Sequence, residues 1–222
     1  TVNELPTATI TGGDSVCLNS PQPQIIITGS GGTAPYTITY SLNSVVQPTI
    51  VSSGNTVIIN ASTNIEGTFD YELISIEESS SANCNQLVTG STTVIVNDAP
   101  IINTPTPYEV CDDNNDGKSC LFVLTTKNNE ISTDPTVVIT YHETPTDAQT
   151  GANPVSTTTY CSIDNSGFQT LFVRAYFTGT PACFSTTTLQ LIVNPRPFAN
   201  PTITDYALCD YTNPGDGEEV FT

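Results

Sequence analysis

The 222-residue chain carries 22 acidic and only four basic side chains, a net charge of −18, and it has neither methionine nor tryptophan. So few Lys and Arg side chains exclude electrostatic binding to nucleic acid or anionic lipid, because basic groups are what displace the counterions. No apolar run is long enough for a membrane-spanning helix, so direct membrane insertion is not expected. The many Thr, Val and Ile residues favour β-strands.

A five-residue motif, Val-Asn followed by two variable residues and proline, recurs along the chain. Its copies begin at Val2, Val96 and Val193, and their asparagines lie 94 and then 97 residues apart. The second and third copies end β-branched, apolar runs, as a last strand entering a linker does. A period of about 95 residues fits a small domain. The predicted divisions are the tail of a preceding repeat (1–6), a first unit (7–100), a second unit (101–197) and the start of a further repeat (198–222).

Short apolar runs separated by turn residues fill the first unit. Gln24–Thr28 is bounded by turn residues on both sides, which indicates a buried strand. From Tyr36 to Leu42 apolar and polar residues alternate, so that strand has one apolar face. Several short strands with no helical period predict an antiparallel β-sandwich. Further strand candidates are Thr7–Thr11, Asn55–Asn60, Thr68–Ile76 and Thr92–Val96.

The second unit repeats this plan. Gln169–Phe177 carries apolar residues on both faces, which is typical of a central strand. Thr144–Gly151 predicts one helical turn after a capping threonine. The other strand candidates are Leu121–Thr125, Thr136–Tyr141 and Thr186–Val193. The predicted fold class is therefore all-β, a tandem of antiparallel β-sandwiches.

The seven cysteines contain no close Cys-x-x-Cys pair, and the chain has a single histidine, so a zinc cluster is not expected. Spread cysteines in small β units indicate disulfides formed in an oxidising compartment. The repeat suggests the pairing, because each unit has one early and one late cysteine at equivalent places, and two more remain in the second unit. The predicted bonds are Cys17–Cys84, Cys111–Cys183 and Cys120–Cys161, with the partner of Cys209 beyond Thr222.

Two sets of motifs resemble a known class of protein. Thr9–Cys17 followed by Gly31–Tyr36 resembles the immunoglobulin-like or PKD-like repeats of Bacteroidetes surface proteins, and this resemblance implies tandem immunoglobulin-like or PKD-like β-sandwiches. The second set is similar to repeats of large adhesins exported by the type IX secretion system, which include the gliding-motility adhesins of flavobacteria. Its segments are Cys111–Gly117, Ile139–Thr144, Asp147-Ala148 and Gly151–Pro154. The resemblance implies secretion to the cell surface, a disulfide-stapled β-sandwich array, and a role in attachment or gliding.

Asp112, Asn114 and Asp116, followed by Gly117, have the alternate spacing that opens a calcium-binding loop. The pattern then departs, because Val123 stands where a bidentate glutamate would close the loop. The alternative is a tight turn that needs these residues for its backbone geometry, and we favour the turn. Calcium is the one cofactor that the sequence suggests.

Three other candidates have simpler readings. His142 beside Glu143 could be a general base, but neighbours on a strand face opposite ways, so a solvated histidine is expected. Ser15, in Asp14-Ser15-Val16, matches a short O-glycosylation pattern, and the alternative is a polar turn. Four aromatic residues could form a sugar-stacking platform, although their alternation favours core packing. They are Tyr36, Tyr40, Phe69 and Tyr71.

Nothing in the sequence resembles an active site, so we expect a protein that is not an enzyme. The leading expectation is a stalk segment of a long, secreted, cell-surface adhesin. Its expected partners are the type IX secretion and gliding machinery and surface polysaccharide. A different class stays open, in which the units are accessory carbohydrate-binding modules of a secreted hydrolase, and a third reading is exported cargo.

Overall fold

The computed structural model describes residues 4–197, 209–211 and 213–218. Val2 and Asn3 of the first motif copy thus lie outside the described residues, as does most of the predicted further repeat. The strands between residues 7 and 97 pair among themselves, as do those between residues 108 and 194. The first set is β1 Thr7–Thr11, β2 Asp14–Cys17, β3 Gln24–Ser30, β4 Thr37–Leu42, β5 Val45–Val46, β6 Ile50–Val51, β7 Thr56–Asn60, β8 Gly67–Glu77, β9 Asn85–Leu87 and β10 Ser91–Asn97.

The first unit is a sandwich of two sheets. One sheet has the order β1-β3-β7, and the other has the order β2-β10-β8-β4-β5, with β6 on β4 and β9 on β8. Each strand turns its apolar side chains inward, as the period-two patterns require. The buried core includes Ile25 and Ile27 from one sheet and Ile38, Leu73 and Val94 from the other. The all-β, immunoglobulin-like sandwich expected from the sequence is confirmed.

The opening strand of the first unit changes sheets at Gly12-Gly13. β1 pairs antiparallel with β3, whereas β2 pairs parallel with the closing strand β10. Gly12 has φ +102°, and a Cβ at Gly12 would lie 2.0 Å from the Gln24 carbonyl oxygen. A Cβ at Gly13 would lie 2.5 Å from the Thr93 carbonyl oxygen. Only glycine fits this crossing, so these two residues place β2 and Cys17 beside the closing strand.

The predicted alternation from Tyr36 to Leu42 holds only in its first half. The register between β4 and β8 shifts between Thr39 and Tyr40. A bulge of this kind turns the following side chains to the other face. As a result Ser41 is buried and Tyr40 is only half-buried, which sequence alternation could not anticipate.

The second unit has one regular sheet of four strands, in the order β11-β14-β13-β12. The strands are β11 Tyr108–Cys111, β12 Val137–His142, β13 Phe168–Phe177 and β14 Phe184–Asn194. β13 lies between β12 and β14, so its prediction as a central strand is confirmed. The other layer is irregular and contains a 3₁₀ turn, Leu124–Lys127, followed by α1, Asn128–Ile131.

The predicted strand Leu121–Thr125 is wrong. Phe122 makes an isolated bridge with Tyr160, and the chain then coils into the 3₁₀ turn. The alternating apolar residues Phe122 and Leu124 do enter the core, which explains the misleading pattern. The Tyr141 hydroxyl donates to the Leu124 carbonyl oxygen (3.0 Å). A side chain thus satisfies a backbone carbonyl group that would otherwise pair with a neighbouring strand. Burial raises the pKa of Tyr141.

The helical turn predicted after Thr144 is confirmed as α2, Pro145–Thr150. The Thr144 hydroxyl accepts the Asp147 backbone N–H (3.1 Å), and the helix ends at Gly151 with φ +74°. These are the usual capping groups at each end of a helix. α2 packs on β12 and β13 and covers part of the outer face of the sheet.

Candidate functional site: the inter-unit disulfide junction

A disulfide joins the two units. Cys17 is bonded to Cys183, with Cα atoms 5.4 Å apart and a separation of 166 positions in sequence. The predicted bonds Cys17–Cys84 and Cys111–Cys183 are therefore wrong, and the thiols of Cys84 and Cys111 are free. The predicted bond between Cys120 and Cys161 is confirmed. We call the region around Cys17 and Cys183 the junction.

The early and late cysteines of a unit lie at opposite ends of the sandwich, which excludes a bond within the unit. Cys17 is paired with Asn97, at the end of β10 that lies beside the start of β8. Cys84 follows the far end of β8, next to the pairing of Glu77 with Asn85. Ten residues of extended strand span about 33 Å, whereas a disulfide needs Cα atoms about 4.4–6.8 Å apart. Only a neighbouring unit can meet either cysteine.

Asn97, the asparagine of the repeated motif, holds the strand that carries Cys17. Its carbonyl oxygen accepts the Leu18 backbone N–H (2.8 Å). Its side-chain Nδ2 donates to the Ser15 hydroxyl (2.8 Å) and to the Val16 carbonyl oxygen (3.3 Å). Asn97 thus ties the closing strand to the residues on both sides of Cys17 at the end of the first unit. The sequence showed this asparagine recurring, but not that it positions a cysteine.

Arg174 holds the hairpin that carries Cys183. This side chain is only 6% exposed. Its Nη1 donates to the carbonyl oxygens of Ala148 (2.9 Å) and Gln149 (2.8 Å), and its Nη2 donates to that of Pro181 (2.5 Å). The guanidinium also lies 3.5 Å from the ring centroid of Phe184. Charge-assisted hydrogen bonds to carbonyl groups satisfy the buried cation and link α2 to the loop just before Cys183.

The linker between the units is attached to the second unit rather than free. Pro100 is buried, and its carbonyl oxygen accepts from the Ser185 hydroxyl (2.6 Å). Further along, the Thr104 and Thr187 hydroxyl groups are hydrogen-bonded (2.8 Å). Two crevices, of about 250 and 370 Å³, lie where the end of the first unit meets the hairpin of the second. The junction is thus a disulfide supported by a docked linker.

The Asp112 loop folds as a turn, the reading that we favoured. Asp112 is buried, and its carboxylate accepts the backbone N–H groups of Asn114, Asn115 and Gly117 at 2.7–3.1 Å. Burial raises its pKa, but these N–H donors outweigh that effect and leave the pKa below its ordinary value. These hydrogen bonds fix the backbone of the turn.

Elsewhere in the described ranges, no group of three or more His, Cys, Asp or Glu side chains is placed to hold a metal ion. Calcium binding at Asp112, Asn114 and Asp116 stays a prediction. Asp210 resembles Asp112, because its carboxylate accepts the backbone N–H groups of Gly215 (2.7 Å) and Gly217 (3.1 Å). Each of these turns directly follows a free cysteine.

The expectation of a solvated His142 is wrong. The side chain is fully buried. Nδ1 lies 2.7 Å from the Ala152 carbonyl oxygen, and Nε2 lies 2.9 Å from the Thr140 hydroxyl. The segment after α2 covers this end of β12 and supplies the Ala152 carbonyl oxygen, an arrangement that β12 alone does not reveal. Glu143 accepts instead from the Tyr160 hydroxyl (3.0 Å), so the two side chains have separate partners.

Ser15 lies on strand β2 and not in the polar turn that we had considered as the alternative. Its side chain is exposed, and its hydroxyl accepts from Asn97 Nδ2. O-glycosylation at Ser15 stays a prediction. Among the aromatic candidates, Tyr36 and Tyr71 are buried, and Tyr40 and Phe69 are half-buried against the core. These four residues form core rather than a surface platform.

Two carboxyl groups make the structure sensitive to acid. The Glu78 carboxylate accepts from the Ser80 hydroxyl and from the backbone N–H groups of Ser80, Thr33 and Cys84. Glu130 accepts from Lys127 Nζ (2.8 Å) and from the hydroxyl and backbone N–H of the linker residue Thr106. The Ser80 hydrogen bond, chiefly, holds the pKa of Glu78 at about 2, and that of Lys127 holds the pKa of Glu130 at about 2.

Stability is therefore expected to fall between pH 4.5 and 2. Both carboxyl groups have folded-state pKa values near 2, lowered from 4.5, so their stabilisation is complete above pH 4.5 and is lost as the pH falls towards 2. Urea unfolding at pH 5.5 and at about pH 2.5 measures the loss. Glu78→Gln and Glu130→Gln should each reduce the difference between the two pH values. Exposed Glu66→Gln is the control, and an unchanged difference in both variants would contradict the assignment.

Comparisons with known proteins give one match to a family model. Residues 107–197 match the family model of the Flavobacterium inter-domain disulphide bond domain. No curated protein matches the chain. No helix of the described residues is long and apolar enough to cross a membrane.

Solved structures that resemble the chain come from several kinds of protein. A structure of three immunoglobulin domains of titin is 11% identical, with 88% of this chain and 67% of that chain covered and a TM-score of 0.43. A Ca²⁺-stabilized adhesin of an Antarctic bacterium is 12% identical, with coverage of 88% and 50% and a TM-score of 0.44. The fibronectin(III)-like modules of CbhA from Clostridium thermocellum are 11% identical, with coverage of 90% and 100% and a TM-score of 0.38.

Proposed function

We propose that this chain is a load-bearing stretch of a secreted, cell-surface repeat protein, a stalk of adhesin type, and that it is not an enzyme. The observation that carries the proposal is the Cys17–Cys183 bond, which joins two consecutive units at their facing ends. Tension that enters at Cys17 passes through the bond to Cys183, so the residues between them are shielded from extension. Such a bond is useful to a protein that is pulled, and it requires an oxidising compartment.

The family match supports a bacterial repeat protein whose units are joined by disulfides. The matched family is named for an inter-domain disulfide and for Flavobacterium, and Cys183, which makes the bond between units here, lies within the matched residues. The acidic surface also suits an extended surface array, because a net charge of −18 keeps units soluble and mutually repelling.

The finer proposal is export by the type IX secretion system and service in attachment or gliding, in a protein similar to the gliding-motility adhesin SprB. The partners would then be the secretion and gliding machinery and surface polysaccharide. The sequence motifs from Cys111 to Gly117 and from Gly151 to Pro154 support this level of detail. Calcium bound by Asp112, Asn114 and Asp116 belongs to the same extracellular proposal.

Surface labelling of intact cells tests the proposal. An antibody to the first unit should bind cells that have not been permeabilised, and Cys17→Ser cells should detach at lower shear than wild-type cells while displaying the same amount of protein. Ser81→Ala, a substitution at an exposed residue away from the junction, gives the control. Protein found only inside cells would contradict the proposal. Specific glycan binding lost on substituting exposed aromatic residues such as Phe168 would favour carbohydrate-binding modules instead.

A further inference from the structure

The free thiols of Cys84 and Cys111 occupy the same structural positions as the two cysteines of the junction. Cys111 pairs with Asn194 on the closing strand, as Cys17 pairs with Asn97. The residue after each cysteine donates its backbone N–H to that asparagine's carbonyl oxygen at 2.8 Å. The asparagine side chain in turn donates to the residue two before the cysteine, Glu109 (3.0 Å) in one unit and Ser15 (2.8 Å) in the other.

Cys84 corresponds to Cys183 in the same way. Each immediately precedes the second strand of a hairpin, β9 or β14. The first pair of that hairpin is Glu77 with Asn85 in the first unit and Tyr176 with Phe184 in the second. Eight positions separate the partners in both cases, so the two hairpins have equal length and present their cysteines at the same place. Cys84 is half-buried and Cys111 is exposed.

The position of each free thiol determines whether it faces the preceding or the following unit. Cys111 lies where the closing strand of the second unit ends, the place from which Cys17 reaches the following unit. Cys84 lies at the opposite end of the first unit, the place at which Cys183 receives the preceding one. A strand-end cysteine thus meets the hairpin cysteine of the unit after it, and the junction shows that two such positions come within bonding distance.

We propose that Cys111 and Cys84 form the same bond with further repeat units, Cys111 with a hairpin cysteine on its C-terminal side and Cys84 with a strand-end cysteine on its N-terminal side. The inference rests on the proposed array of repeats. The partner is a unit of the same kind, either in the same chain or in a second copy. Each bond forms from two thiols, whose two protons and two electrons pass to a disulfide oxidant that becomes a dithiol.

The consequence is two interleaved covalent tracks along the array. One track enters at Cys17, crosses to Cys183 and continues along β14. The other follows the chain from Cys84 to Cys111 and crosses there to the next unit. Each bond bypasses most of the two units that it joins, so every unit is shielded by bonds at both of its ends.

Disulfide mapping of the protein taken from intact cells tests the inference. Free thiols are blocked with N-ethylmaleimide before lysis, and peptides are mapped without reduction. We expect Cys111 and Cys84 to be unlabelled, each linked to a cysteine peptide from another unit. A single-chain mass without reduction assigns the partner to the same chain, whereas larger species that reduction dissociates assign it to a second copy. Labelled Cys111 and Cys84, or a bond between Cys17 and Cys84, would overturn the inference.

Serine variants give the matched controls. Cys17→Ser should make Cys183 available to label, which shows that the method detects a released hairpin cysteine. Cys111→Ser should release the hairpin cysteine to which Cys111 was bonded and leave the Cys17–Cys183 bond intact. If Cys111→Ser releases none, the inference is wrong. Protein displayed on the cell surface with free Cys84 and Cys111 would refute this inference alone, whereas protein absent from the surface would refute the proposed function.

Discussion

Pulled from its two ends, the oxidised chain is expected to resist extension between Cys17 and Cys183, and the reduced chain to lengthen by up to about 550–600 Å. The 166-residue separation sets this length, because an extended residue spans about 3.3–3.6 Å. In the oxidised chain the covalent bond carries the tension, so the residues between the two cysteines cannot be drawn out. Single-molecule force spectroscopy with and without a reductant measures the difference.

Cys17→Ser separates the contributions of the two disulfides. This variant leaves Cys120–Cys161 in place, so the residues inside that bond stay shielded. Its gain in length should be smaller than that of the fully reduced chain by about 140 Å, because 41 residues separate the two cysteines. A full-length gain in the oxidised wild-type chain would show that the units are not joined as the structure has them.

Removing the bond between Cys120 and Cys161 is expected to destabilise the second unit selectively, by about 2–4 kcal/mol. In the irregular layer of this unit an isolated bridge between Phe122 and Tyr160 stands where a second sheet would be. The bond restricts the conformations of the unfolded chain across a sequence separation of 41 residues. In a domain whose total stability is about 5–15 kcal/mol, such a loss is large.

Hydrogen exchange resolves this effect by unit. In the Cys120→Ser, Cys161→Ser double variant, the backbone N–H groups of β13 and β14 should exchange faster, while those of Ile27 and Ile38 in the first unit keep their protection. Ser81→Ala, at an exposed residue of the first unit, is the control substitution. Unchanged exchange in the second unit would mean that its irregular layer is held by packing and side-chain hydrogen bonds alone.

Side-chain hydrogen bonds also hold the irregular layer of the second unit. Tyr141 donates to the Leu124 carbonyl oxygen and to Asn128 Oδ1 (3.0 and 2.8 Å). Gln169 Nε2 donates to the Tyr160 hydroxyl at 2.6 Å. Burial raises the pKa of Tyr160 to about 12, so both hydroxyl groups stay protonated at physiological pH. Each hydrogen bond contributes about 1 kcal/mol, less than the disulfide.

Local patterns were enough to predict most strands, because period-two alternation reports directly which face is buried. Gln169–Phe177 and Thr186–Val193 were placed within two residues of β13 and β14. The capped helical turn after Thr144 was found for the same reason, since a cap is a local signal. Leu121–Thr125 failed because apolar alternation does not distinguish a strand from a 3₁₀ turn that packs against a neighbouring sheet.

The junction could be predicted only in part. The sequence revealed that cysteines recur at equivalent places and that Asn97 and Asn194 mark the end of each unit. It carried no signal for Arg174, which reads as one strand residue among many, or for the burial of His142. Both depend on α2 and the segment after it folding back over the sheet, an arrangement between elements that are distant in sequence.

By itself, the sequence determined the β composition, the period of the repeat and the presence of disulfides, because each of these is written in residue types and spacings. Only the tertiary structure decided which cysteines bond. Two cysteines of one unit are neighbours in the repeat but lie at opposite ends of strands about 33 Å long. Cys17 and Cys183 are 166 residues apart in sequence, yet their Cα atoms lie 5.4 Å apart because successive units stack end to end.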